Sequence, residues 1–133
     1  VSKLSATVVS VVSHEMLSIV TFDVSGHTLQ MMSLDMQNRL HEGDKVLLGI
    51  KPWSVALVHQ KVEKSSFVNQ ISVKTVRIEE GELLMRIVLE LGEERLESVI
   101  LRKNAADLTL YEGDEVVAVI PAGDISVVEL TDV

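Results

Sequence analysis

The stretch "HEGDKVLLGIKPWSVAL" at 41–57 returns 70 positions later as "YEGDEVVAVIPAGDISV". Leu40/Leu110, Glu42/Glu112, Gly43/Gly113, Asp44/Asp114, Val46/Val116 and Ile50/Ile120 all keep that one spacing. Such a repeat constrains the fold before any other feature does, because each copy is one supersecondary module written twice. Gly26 and Gly92 repeat at a slightly shorter interval, so the first copy is a few residues shorter between this turn and its Glu-Gly-Asp.

Within each copy the hydrophobic pattern has period two. "ATVVSVV" (6–12), "LSIVTFDV" (17–24), "HTLQMM" (27–32), "KVLLGI" (45–50) and "SVALV" (54–58) read as short strands rich in β-branched residues. Their counterparts are "NQISVKTVRI" (69–78), "ELLMRIVLEL" (82–91), "ERLESVIL" (94–101), "EVVAVI" (115–120) and "ISVVEL" (125–130). "SLDMQNRL" (33–40) and "RKNAADLTL" (102–110) space their apolar residues three or four apart and read as helical turns. The polar run "VHQKVEKSS" (58–66) suits a link. These features predict a first unit at 1–60, a linker at 61–65 and a second unit at 66–133. A unit of that size cannot leave sheet edges open, so a closed or nearly closed barrel is expected. The predicted fold class is all-β: two tandem OB-like five-stranded barrels, each with one short helical turn.

With one Trp, one Tyr and two Phe in 133 residues, the core must be built from Val, Leu, Ile and Met. Met16, Met31, Met32, Met36 and Met85 are expected to fill gaps in it. A formal charge of −8 argues against broad nucleic-acid binding, which needs clustered Lys and Arg. Cysteine is absent, which excludes disulfides and thiolate chemistry. No apolar run is long enough to span a bilayer and no signal-peptide pattern opens the chain, so a cytoplasmic protein with no membrane partner is expected. The start at Val1 rather than Met suggests a piece of a longer polypeptide.

His14, His27, His41 and His59 are scattered over turns, without ligand spacing, and no metal site is predicted. The carboxylates of "RIEEGE" and "LGEERLE" read as solvated hairpin tips, and no nucleophile–base arrangement or phosphate cradle appears. The chain is not expected to be an enzyme or to hold an organic cofactor. One asymmetry stands out: Lys51 ends the fourth strand of the first copy, and Pro121 takes its place in the second. By default such a lysine is a solvated charge guarding a sheet edge. Beside hydroxyls and turn amides, it would instead suit an anion, toward which an ammonium acts as a point charge.

"GDKVLLGIKPWSVAL" resembles the closing strand pair of the Mop domain, a relative of the TOBE domain. "SFVNQISVKTVRIEEGE" (66–82) resembles the Mop opening, with its Ser-x-x-Asn start, strand and Glu-rich turn. Two such units in tandem are similar to the di-Mop arrangement of molybdate-handling proteins. Among these are the molbindins, the C-terminal half of the molybdate-responsive transcription regulator and the tail of the molybdate transporter's ATPase. The resemblance implies binding of molybdate or tungstate at interfaces between units, by backbone N–H groups, hydroxyls and a lysine. Carried over, the implied ligand residues are Lys51 and Ser54 after the first unit's closing strand, and Ser66, Val68 and Asn69 at the second unit's opening. Ser33 falls near a position the family usually fills with Thr.

The second unit has Pro121 in place of the lysine and Leu101 in place of the Thr, while the first opens with "KLSATVV" and no clear Ser-x-x-Asn, with Ser5 as the candidate to stand in for it. A competent site is therefore expected only where the first unit's closing turn meets the second unit's opening. By resemblance, the chain would be the sensing and oligomerising region of a transcription regulator, acting as a homodimer or larger homo-oligomer. It would reach DNA only through a helix-turn-helix preceding Val1. The alternatives are a stand-alone molybdate store or a ligand-free structural module. Trp53, in a turn after Pro52, is a candidate subunit contact.

Overall fold

The structure, a computed structural model, describes residues 1–34 and 39–131. Ten strands carry the fold. They are β1 (Ser2–His14), β2 (Leu17–Val24), β3 (His27–Leu34), β4 (Lys45–Ile50), β5 (Ala56–Val58), β6 (Asn69–Glu80), β7 (Leu84–Leu91), β8 (Glu94–Leu101), β9 (Glu115–Ile120) and β10 (Ile125–Thr131). Short 3-10 turns at Pro52–Ser54 and Ala122–Asp124 precede β5 and β10. The expected second helical segment is α1 (Arg102–Leu108), closed by Thr109 in the left-handed conformation. The first predicted helical turn falls largely on residues 35–38, which lie outside the described residues; Ser33 and Leu34 complete β3.

Both sheets are five-stranded and antiparallel, in the orders β10-β4-β1-β2-β3 and β5-β9-β6-β7-β8. The sheets do not follow the halves of the sequence. β5, at the end of the first half, pairs with β9, and β10, at the end of the second, pairs with β4. Each sheet curls until its outer strands come together, β10 near β3 and β5 near β8, without a hydrogen-bonded ladder between them. The result is a pair of OB-like half-closed barrels, all-β as the periodicity predicts, that trade their last strands.

The repeated Glu-Gly-Asp is explained by the turn it makes. Gly43 (φ +91°) and Gly113 (φ +94°) take the left-handed third position of a four-residue turn. In each turn the aspartate amide returns to the carbonyl of residue 41 or 111, at 3.0 and 3.1 Å. The carboxylate accepts from the same residue's amide: Asp44 Oδ2 from His41 at 2.8 Å, Asp114 Oδ2 from Tyr111 at 3.0 Å. The turn then docks on the long first strand, through Val8 N to Asp44 O and Gly43 N to Val8 O, both 2.8 Å. Thr75 and residues 113–114 repeat the pattern at 2.7 Å. Both docking points lie beside bulges, at Val8/Ser10 in β1 and Thr75/Arg77 in β6. A bulge bends a long strand, so one strand serves both faces of a small barrel.

Alternate residues of every strand feed one continuous core that includes Leu4, Val20, Phe22, Leu29, Leu48, Ile50, Ile87, Leu89, Leu96 and Ile120. Met31 and Met85 join the buried residues as expected, whereas Met16 and Met32 are exposed at 60% and 47%, and Met36 lies outside the described residues. Period two accounts for the difference, because Met32 follows core-facing Met31 and must point outward. On the outer face of the second sheet, Arg86 binds Glu97 and Glu79; these two carboxylates hold its guanidinium above its ordinary range. No helix among the described residues is long and apolar enough to cross a membrane.

Candidate functional site

The predicted site residues belong to two stretches, 51–54 and 66–69, and to β3. Lys51 leaves β4 in an extended conformation (φ −76°, ψ 139°), as a residue before proline must. Pro52 then opens the 3-10 turn, and the Ser54 amide closes it on the Lys51 carbonyl at 2.9 Å. The second copy repeats this backbone with Pro121 at φ −59°, ψ 140° and the Asp124 amide on the Pro121 carbonyl at 3.0 Å. The turn geometry is therefore independent of the lysine, and the exchange of Lys51 for Pro121 removes a cation and a backbone N–H without changing the path of the chain. The Lys51 side chain is exposed and has no hydrogen-bond or ion-pair partner among the described residues.

Because β5 crosses to the second sheet, Ser54 and the second unit's opening come together within one chain. Ser54, Ser66 and Val68 line a single groove with Trp53, Met32 and the Pro121–Asp124 turn. Its lining is mostly apolar, and Asp124 is its one charged lining residue among the described residues. Lys51 does not line it. Ser33 is half-buried on β3 beside Met32, and its hydroxyl donates to the Leu34 carbonyl at 2.9 Å.

Asn69 occupies a different position from its neighbours. It is 2% exposed, and its carboxamide ties three segments together. Nδ2 donates to the carbonyls of Gln30 and Ile120, both at 2.9 Å, and Oδ1 accepts from the Gln30 amide at 2.8 Å. Both N–H donors of the side chain are thus used, so it has none left for an anion. The corresponding tie at the other side of the molecule is lighter: the Ser2 hydroxyl accepts from the Glu97 amide at 3.0 Å. In the ladders Ser2 faces Ile50 as Asn69 faces Ile120, so the two contacts are related by the internal repeat.

Sequence reasoning brought Ser54, Ser66 and Val68 together and missed the third wall, the Pro121–Asp124 turn. That wall depends on β10 leaving for the other sheet, and no residue in the sequence marks this exchange. Trp53 is 71% exposed and borders two apolar grooves, the one above and another lined by Leu84, Val99, Leu101 and Leu108.

This architecture has a known counterpart. Residues 65–127 match the TOBE domain. The chain superimposes on a crystal structure of the cytoplasmic molybdate-binding protein ModG, determined with molybdate bound, with a TM-score of 0.87. The superposition covers 94% of this chain and 93% of that one, at 21% identity. The chain has the ModG fold. The TOBE match lies on the unit that carries the Ser66–Asn69 opening, and the structural match extends the same architecture over both units. A search of curated protein sequences finds no match to this chain.

Proposed function

We propose that this chain binds a tetrahedral oxyanion, molybdate or tungstate, without catalysing a reaction on it, at interfaces between its units in a homo-oligomer. The observation that carries the reading is the superposition over nearly the full length of both chains on a protein that binds molybdate. The local chemistry is compatible with it. Ser54 and Ser66 offer hydroxyls, and the Trp53, Ser66 and Val68 backbones offer amides, donors that need no proton transfer to hold a dianion.

A single chain lacks one component. The groove holding Ser54, Ser66 and Val68 has an apolar lining and a carboxylate, and burying a dianion there without a cation is strongly unfavourable. Lys51 of a second copy supplies that charge in the proposed assembly, with Trp53 and Phe67 covered by the same contact. Asn69 then holds the 66–69 segment in place from within, and the ligand meets its neighbours. In this reading the asymmetry of Lys51 and Pro121 leaves one competent combination of turn and opening, as suits the sensing region of a molybdate-responsive regulator. A molybdate store is the second reading, favoured by the superposition on a cytoplasmic molybdate-binding protein.

Calorimetric titration with molybdate, tungstate and sulfate tests the proposal. Saturable binding of the first two is expected, and Lys51→Ala should weaken it about tenfold or more, the loss of one charge-assisted contact. No heat and no thermal stabilisation at millimolar molybdate would leave a structural module. Sedimentation of the same samples reports whether binding and assembly go together.

A further inference from the structure

The seam between the two halves has two ends related by the internal repeat, and they differ in chemistry. At one end a cleft is lined by Ser5, Thr7, Asp23, Lys45, Glu93 and Glu94. There the Ser5 amide donates to Glu94 Oε1 at 2.6 Å, so a carboxylate from one half sits on a strand amide of the other. Ser5 is available for this because it lies two residues before β2 begins to pair with β1, at Thr7.

At the other end the equivalent cleft is lined by His27, Thr28, Gln30, Lys61, Gln70 and Ser72, among others. Ser72 stands where Ser5 does: it faces Val117 as Ser5 faces Leu47, and it lies two residues before β7 begins to pair with β6, at Lys74. His27 opens β3 as Glu94 opens β8, so it occupies the position of the internal carboxylate. No carboxylate lines this cleft among the described residues, and Lys61 brings a cation to it.

We infer that this second cleft binds a small carboxylate anion from outside, seated on the Ser72 amide as Glu94 is seated on Ser5. Ser72, Thr28, His27 and Lys61 line this one cleft, so an amide, two hydroxyls, a ring N–H and an ammonium are the donors it offers, and charge-assisted bonds of this kind are the stronger class. The cleft borders the oxyanion groove at Val68, but its donors are other residues, and the inference does not depend on the groove's assignment.

Amide-detected NMR titration of the full chain with acetate, at constant ionic strength, tests the inference. A saturable shift centred on the Ser72 and His27 amides is expected, and Lys61→Ala should weaken it about fivefold. His27→Glu should place a carboxylate on Ser72 from within. The Ser72 amide then moves downfield without acetate and the acetate response disappears. Glu94→His should create an acetate response at Ser5. Unsaturated, chain-wide drift with acetate would overturn the inference, as would a His27→Glu variant that leaves the Ser72 response intact. A Ser72 shift that grows with protein concentration in the absence of acetate would overturn the free ligand and assign the carboxylate to a second copy. The molybdate groove reports on the amides of Ser54 and Ser66, so failure at one site is read independently of the other.

Discussion

The two halves of this chain share a backbone and differ in what they attach to it. Turn for turn they agree: Glu-Gly-Asp on a bulged first strand, a 3-10 turn after the fourth strand, and a fifth strand sent across to the partner sheet. Their divergence is concentrated where one half meets the other. Asn69 makes three hydrogen bonds where Ser2 is assigned one, His27 replaces Glu94, and Lys51 replaces Pro121. A duplicated fold constrains its turns and core in both copies, because each barrel needs them, while the seam and the strand ends are free to specialise. Asymmetry is therefore found at the contacts between copies.

The strongest test of this equivalence lies in the core. Phe22 and Leu89 are repeat-related and both fully buried. Either residue changed to Ala should cost about 3–5 kcal/mol. Because the exchanged strands couple the barrels, both variants should still unfold in a single urea transition; separate transitions would show that the halves are independent. The seam ties come next. Asn69→Ala leaves the Gln30 amide and two carbonyls without their partner, and should cost about 2–3 kcal/mol by the same measurement. Ser2→Ala should cost only about 1 kcal/mol. Equal losses would remove the distinction drawn between the two ends of the seam.

The glycine turns differ in a similar way. Gly92 (φ +58°) presses on Ser25, whose Cβ would lie 2.4 Å from an added Cβ, whereas Gly26 (φ +84°) has nothing within 4 Å. Gly92→Ala should therefore cost about 2 kcal/mol, from strain and overlap together, and Gly26→Ala about 1 kcal/mol, from backbone strain alone. Thermal melts of the two variants give the ranking, and Ser25→Gly should recover part of the first loss. The smallest effect has the opposite sign. Thr75 is fully buried, and its hydroxyl has no partner among the described residues, whereas its repeat-mate is Val8. Thr75→Val should stabilise the chain by about 1 kcal/mol, since it removes an unsatisfied polar atom and keeps the shape. A loss of stability would mean that the hydroxyl is satisfied in solution.

Much of this molecule was legible in the sequence. The strand series was readable because alternation is a local property, and the Glu-Gly-Asp turn because glycine marks a left-handed position. The placing of Ser54 near Ser66 and Val68 came from the family resemblance, and the structure brings the three together in one groove. Asn69 was the least readable of the candidate residues. Its type suits a ligand contact as well as a structural tie, and only its neighbours in space show that its donors are already taken. Met32 was misplaced in the core by composition, although the alternation around Met31 carried the correct answer.

By itself the sequence determined two all-β units, their turns and the side chains available at each strand end, because these follow from periodicity and local backbone chemistry. The exchange of β5 and β10 was decided only in three dimensions, and with it the walls of the groove and the unlike ends of the seam. The identity of a strand's partner is a long-range choice. It depends on which sheet edge is nearest once the 3-10 turn has set the chain's direction, and the alternation that makes a strand is the same whichever sheet receives it.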